Sequence, residues 1–171
     1  MAEKTRDPRK TPFFLKPLVS VVSGRRTVQL FMKIASPIDR FLIPATNGRL
    51  STGLGQPVLV MEVAGAKSGK KRRTPLLYLR DGDDIVLVAS YGGGERHPAW
   101  YYNLKANPRV RLFVRNGSGW YTARLAEGEE RQRLWKAVTE FYDGYRKYQT
   151  YTDREIQLFV LTPEPEAPPR P

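Results

Sequence analysis

Six short runs rich in Val, Leu and Ile follow one another too closely for helical crossovers, and this spacing limits the chain more than any other feature. The runs are Pro57–Ala64, Thr74–Arg80, Ile85–Ser90, Arg109–Arg115, Trp120–Leu125 and Glu155–Leu161. Two pairs are separated only by turn-forming residues, Asp81-Gly82-Asp83-Asp84 and Asn116-Gly117-Ser118-Gly119, which predicts two hairpins. Parallel pairing needs crossovers of a dozen or more residues, so the spacing predicts a mainly β (α+β) chain with an antiparallel six-stranded barrel. Ala99–Ala106 reads as a short helix. Glu127–Tyr142 reads as an amphipathic one, with Leu134, Val138 and Phe141 on one face and acids at its start.

The remaining segments are the ends. Residues 1–43 form a basic amphipathic stretch in which Val28, Phe31, Met32, Ala35 and Ile38 are close to helical spacing, and Ser36 and Pro37 suit an N-cap and a first turn. Residues 44–162 are assigned to the barrel and 163–171 to a proline-rich tail. In 171 residues there is room for one core. The chain has no cysteine, and His97 is its only histidine. Thiolate chemistry, disulfides, Cys- or His-rich metal centres and most His-based triads are therefore excluded, and no metal is expected. No apolar run approaches the ~18 residues of a spanning helix and no secretory leader is evident, which predicts a cytoplasmic protein.

A formal net charge of +12 calls for an anionic partner: nucleic acid, a membrane surface or a small polyanion. Residues 1–50 carry ten Lys/Arg against three Asp/Glu, beside Phe13, Phe14, Leu15, Leu30, Phe31 and Met32. Interfacial helices combine charge and apolar bulk in this way, which predicts peripheral contact with an anionic membrane on its inner face. The alternative is that these helices pack on the barrel with their basic face in water.

Three clusters carry chemistry. Gly65-Ala66-Lys67-Ser68-Gly69-Lys70-Lys71-Arg72-Arg73-Thr74 lies between two strands, and residues 63–80 hold six Lys/Arg and no acid. Glycines let backbone N–H groups face an anion while the side chains supply charge, although the order is not that of a P-loop and a solvated basic turn has the same composition. In the second, Ala89-Ser90-Tyr91-Gly92-Gly93-Gly94 precedes His97-Pro98-Ala99-Trp100-Tyr101-Tyr102-Asn103. Consecutive glycines let a flat ring lie against the backbone, and the aromatics can wall it or simply belong to the core. In the third, Tyr142, Tyr145, Tyr148 and Tyr151 recur every three residues. On one helix the first three share a side and present phenols to a substrate oxygen, or pack with their hydroxyls in water.

Taken in order, Gly65-x-Lys67-Ser68-Gly69-x-x-Arg72-x-Thr74-Pro75-Leu76, Ala89-Ser90-x-Gly92-Gly93, His97-Pro98-Ala99-Trp100-Tyr101-x-Asn103-Leu104-x-Ala106-Asn107-Pro108 and Tyr142-x-x-Tyr145-x-x-Tyr148-Gln149 resemble the deazaflavin-dependent nitroreductases of actinobacteria, over roughly residues 55–162. The resemblance implies a split β-barrel with flanking helices, similar to FMN-binding split barrels, that holds the deazaflavin coenzyme F-420. It implies Lys67, Ser68 and Arg72 on the coenzyme phosphate and Lys70 and Lys71 near its glutamate tail. Thr74, Pro75, Leu76, Val88, Ala89, Ser90, Tyr91, Ala99, Trp100, Tyr101, Tyr102 and Asn103 would surround the ring, with Tyr145 closing over it. Ala66, Arg73, Leu77, Gly92 and His97 complete the implied coenzyme set, and Tyr142, Tyr145, Tyr148 and Ser90 the catalytic one. Ala66 stands where the family commonly has Arg, and Tyr91 where some members have Lys. The implied activity is hydride transfer from the reduced coenzyme to a small hydrophobic quinone, enone or nitro compound. The rival readings are a non-catalytic coenzyme carrier, an FMN oxidase and a basic nucleic-acid-binding module; a salt-sensitive oligonucleotide affinity would mark the last.

Overall fold

The computed structural model describes residues 37–165, apart from 47, 53–55 and 116. The expectations for residues 1–36 and for the tail beyond 165 lie outside this range. Helix α1 spans residues 37–45. It is followed by β1 (Val58–Ala64), β2 (Lys71–Asp81), β3 (Asp84–Val88), a 3-10 turn (Tyr91–Gly93), α2 (Ala99–Ala106), β4 (Arg109–Val114), β5 (Gly117–Leu125), α3 (Gly128–Phe141), α4 (Gly144–Gln149) and β6 (Leu158–Pro163). The strands close into a barrel in the order β1-β2-β3-β6-β5-β4, with every neighbouring pair antiparallel. The expected six-stranded antiparallel barrel with flanking helices is the observed fold.

Strand parity sorts the side chains. Successive residues of a strand point to opposite faces, so Leu59, Met61 and Val63 of β1, Ile85, Leu87 and Ala89, Val110, Leu112 and Val114, and Phe159 and Leu161 share the interior cluster. Their neighbours Val86, Leu158 and Val160 lie outside, under Leu134 and Val138 of α3 and Tyr145 and Tyr148 of α4. Helix α1 covers a third patch, setting Ile43 against Val60 and Phe113. Each fully buried aliphatic side chain contributes about 1.5–3 kcal/mol, and a one-residue slip of β3 would exchange its core and outer faces. The buried Asp39 of α1 accepts hydrogen bonds from the Thr52 N–H and Oγ1, both at 2.7 Å, which ties the following loop back to the helix.

Four of the departures from the sequence pattern have a clear backbone reason. β2 begins at Lys71, not Thr74, because Ala64 pairs with Lys71 and the Gly65 N–H continues the ladder to Lys70 O at 2.9 Å. The basic turn is thus only Gly65–Lys70. In the second hairpin Gly117 pairs with Val114, so Gly117, Ser118 and Gly119 belong to the strand. β6 starts three residues later than expected and runs through Pro163. The Glu164 N–H then donates to Trp120 O at 2.8 Å, while the Glu164 carboxylate takes Arg109 and Thr122. The tyrosine run does not lie on one helix. α3 ends at Phe141, Tyr142 is extended (φ −143°), and α4 starts at Gly144, where any Cβ would collide with the Tyr142 ring.

Antiparallel pairing also fixes where the loops emerge. Ala64 meets Lys71, Val88 meets Leu158, and Leu125 meets Phe159. The connections 65–70, 89–108 and 126–157 therefore all leave one mouth of the barrel. The opposite end carries the Gly82 turn between β2 and β3, the entry into β1 and the end of β6. All three clusters singled out above sit on the mouth connections.

Candidate functional site

Within the basic turn, the charges divide into two groups. On β2, Arg73 stands opposite Glu62, donates to it at 2.9 Å and lies 5.4 Å from the Phe113 ring centre. Lys71 meets the same carboxylate at 3.5 Å. Burial pushes the Glu62 carboxyl up, but the hydrogen bond and charge of Arg73, joined by Lys71, outweigh it and hold the group below the usual carboxylate range. Lys67, Lys70 and Arg72 have no carboxylate partner among the described residues. By register Arg72 and Thr74 stand opposite Val63 and Met61, on the inward parity at the mouth.

The turn is held from below. Its Ala66 N–H donates to Asn103 Oδ1 of α2 at 3.0 Å, and Asn107 Nδ2 donates to Ala64 O at 3.2 Å. The Gly69 N–H closes on Gly65 O at 2.8 Å, and the Lys70 N–H reaches Ser68 Oγ at 3.4 Å. The Lys67 and Ser68 N–H groups meet no protein acceptor among the described residues. The expected contribution of Ala66 is thereby redirected, since its N–H is already bound to Asn103. An exposed turn with two open N–H groups and three cations without a carboxylate partner among the described residues has the donors and the charge that an anion requires.

The second connection is stapled by a residue that belongs to none of the three sequence clusters. Arg154, between α4 and β6, donates to Gly94 O and Ser90 O at 2.8 Å, and to Ala89 O at 3.2 Å. It also lies 3.2 Å from His97 Nδ1. Gln149 in turn holds the Thr152 and Arg154 carbonyls and the Ile156 N–H. Ser90 and Gly92 are buried, whereas Tyr91 is 55% exposed at φ 50°. The His97 ring stacks on Tyr101 with centroids 3.9 Å apart. Burial, then the charges of Arg154 and Lys105, push the imidazole below its ordinary pKa, so it is neutral at pH 7.

Parity separates the residues expected around the ring. Thr74, Leu76, Ala89, Trp100 and Tyr101 belong to the inner face or its helical plug, whereas Pro75 and Leu77 stand opposite Val60 and Val58 on the outer one. Val88 packs with Tyr142, Tyr145 and Tyr148 in the outer helical layer. Ala99 and Tyr102 are exposed, while Asn103 braces the turn. The three tyrosine rings converge, with centroids 5.1–6.2 Å apart, and the Tyr142 and Tyr148 hydroxyls are 3.2 Å apart. Burial, chiefly, raises the pKa of Tyr145 and Tyr148, so both are protonated donors at neutral pH. The Tyr145 hydroxyl has no partner among the described residues. The glycine loop reaches this layer, because a Cβ on Gly93 would touch Tyr148 O and Tyr151 Cβ.

A cavity of about 530 Å³ opens between α2 and the start of α3, over Leu104, Leu125 and Phe159, with Lys105, Glu127 and the paired Arg124 and Glu130 at its rim. None of the residues expected to bind coenzyme line it. Among the described residues no group of three or more His, Cys, Asp or Glu could hold a metal ion.

Fold and mouth together define a small six-stranded antiparallel β-barrel with a cationic turn beside a braced, glycine-rich loop. A family model described as F420H(2)-dependent quinone reductase matches residues 41–163. The chain belongs to that family, and so is a reductase whose cofactor is coenzyme F-420. A relative from Mycobacterium tuberculosis (strain H37Rv) with the same description is 41% identical over 122 residues, covering 68% of this chain and 82% of the relative. One similar solved structure, described as a reductase dependent on reduced F-420, is 44% identical with a TM-score of 0.58, over 61% of this chain and 93% of that one. Another, described as a domain-swapped dimer, is 40% identical with a TM-score of 0.61, over 73% and 93%.

Proposed function

We propose that this protein reduces a lipophilic quinone with coenzyme F-420 seated at the barrel mouth. The observation that carries the site is the turn in which Lys67, Lys70 and Arg72 have no carboxylate partner among the described residues while Lys71 and Arg73 share Glu62. Lys67, Ser68 and Arg72 hold the coenzyme phosphate by charge-assisted hydrogen bonds, and Lys70 screens the glutamate tail. When bound, the reduced coenzyme supplies the two electrons of the reaction. Tyr145 and Tyr148, kept protonated by burial, donate to the acceptor oxygen as negative charge gathers there. Enones and nitroarenes present an oxygen of the same kind and are the further acceptors of this reading.

Fluorescence titration of the protein with oxidised coenzyme F-420 and with FMN, followed by turnover assays on a menaquinone analogue, tests it. Saturable binding of the deazaflavin at least tenfold tighter than FMN, with quinone turnover, is expected. Equal or tighter FMN binding overturns the coenzyme assignment, and binding without turnover leaves a carrier protein. Tyr145→Phe and Tyr148→Phe should slow turnover by about 10- to 100-fold with coenzyme affinity retained, the pattern of a hydrogen bond made in the transition state.

A second observation favours a peripheral place on an anionic membrane, where such quinones dissolve. Ile38 and Phe41 of α1 and Leu50 beyond it are 50%, 70% and 57% exposed, next to the exposed Arg40 and Arg49. No helix among the described residues is long and apolar enough to cross a membrane, so the attachment is interfacial. Co-sedimentation with anionic vesicles should exceed that with neutral ones and fall in an Ile38→Ser/Phe41→Ser variant. Unchanged pelleting of that variant would locate attachment elsewhere.

A further inference from the structure

We infer that Arg154 is a positioning residue that locks the Ala89–Gly94 loop and sets His97 as a neutral imidazole with its hydrogen on Nε2, a fixed donor for an acceptor atom of the bound coenzyme or quinone. A guanidinium carries five N–H donors and no acceptor. Arg154 applies them to three loop carbonyls and to His97 Nδ1. Because the guanidinium can only donate, Nδ1 must accept, and the ring hydrogen is left on Nε2. That nitrogen has no partner among the described residues.

Burial and the charges of Arg154 and Lys105 favour the neutral ring, and the groups around it come from several elements. Arg154 faces the ring from the α4–β6 connection, Lys105, Tyr101 and Tyr102 from α2, and Glu95 and Arg96 flank it on its own loop. The charges of Arg154 and Lys105 disfavour a second ring proton, and such a proton on Nδ1 would abut the guanidinium. Stacking on Tyr101, nearly parallel at 10°, fixes the ring plane. Arg154 has no carboxylate partner among the described residues, so its charge remains directed at the loop carbonyls and the imidazole. Its own backbone is held by Gln149, which makes the staple an extension of α4 and not a loose surface side chain.

The inference rests on the reading that the mouth binds coenzyme and quinone, but its first test does not. With His97 the only histidine, a long-range ¹H–¹⁵N spectrum of the full chain without coenzyme reports one imidazole. The expected result is the Nε2–H tautomer at neutral pH, with protonation occurring below the ordinary histidine range. A predominant Nδ1–H tautomer overturns the proposal whatever the protein binds. Arg154→Met should give a mixture of tautomers and raise the apparent pKa, whereas Arg154→Lys, which keeps the charge and loses the fork, should restore the low pKa but not the single tautomer. In the loaded protein, Arg154→Lys and His97→Ala should each weaken coenzyme or quinone binding by about five- to tenfold, and the double variant no further than the larger single effect. Additive losses, or none, would show that Arg154 does not act through His97. Failure of coenzyme to bind wild-type protein, with the tautomer as expected, would count against the proposed function and leave the staple standing.

Discussion

The Gly65–Lys70 turn and the Ala89–Gly94 loop leave the same mouth of the barrel, and both contain glycine in the left-handed region, yet they are built on opposite plans. In the first, a Cβ on Gly69 (φ +64°) would meet nothing within 4 Å, whereas in the second a Cβ on Gly93 (φ +76°) would lie 2.5 Å from Tyr148 O. The turn is exposed and rich in cations that have no carboxylate partner among the described residues. The loop is largely buried, and its carbonyls are gathered by one guanidinium. A surface that awaits a counter-anion can be soft, because charge acts at a distance and binding completes its order. A surface that must present a flat or oriented contact has to be finished before the ligand arrives.

The comparison is broken most severely by Gly93→Ala. Left-handed strain and overlap with the α4 backbone should together cost about 3 kcal/mol or more, read as a lower midpoint in urea or on heating. A substitution that left stability unchanged would mean that the loop is not finished in the way described. Next in size, Lys67→Ala and Arg72→Ala should each weaken coenzyme binding by ~1–3 kcal/mol, with a marked salt dependence and little change in stability. Lys71→Ala, by contrast, should cost less than about 0.5 kcal/mol, since Lys71 already faces Glu62 at an exposed site. Gly69→Ala sharpens the contrast with Gly93, because only backbone strain is left there, about 1 kcal/mol.

A further small effect depends on pH. The Glu62 carboxyl is depressed in the folded protein, so its pairing with Arg73 and Lys71 adds stability above the unfolded carboxylate pKa. That contribution is lost as the pH falls through the depressed folded value. Glu62→Gln should therefore be slightly less stable than wild type near neutrality, by roughly 1 kcal/mol or less, and should converge with it in acid. Parallel stability curves down to low pH would remove the pair from the account.

The barrel was legible because its interior is written in strand parity. Leu59, Met61 and Val63, or Ile85 and Leu87, announce a buried face through their own side chains. The start of β2 was not legible, since Lys71, Arg72 and Arg73 look like loop residues and the bonds that make them strand belong to the backbone. The three-residue spacing of Tyr142, Tyr145 and Tyr148 pointed to one helical side. The rings do converge, but around a break between α3 and α4 at which Gly144 leaves room for the Tyr142 ring. The basic turn was visible by composition, though not the division that places Arg73 and Lys71 on Glu62. Arg154 left no trace because its partners are mostly carbonyl oxygens, which every residue has. A lone cation between an aromatic helix and the final strand was the only available sign.

The last strand to emerge during synthesis is the one that closes the ring. β6 sits between β3 and β5, so Val88 has no strand neighbour on that side until Leu158 arrives, and Leu125 waits for Phe159. Until then the nascent chain carries two open sheet edges, each able to pair with another chain. Closure depends on contacts distant in sequence, which places it late and makes it slow compared with the hairpins. The interval between release of β5 and docking of β6 is thus when the chain is most exposed to aggregation, and when a chaperone would have the most surface to hold.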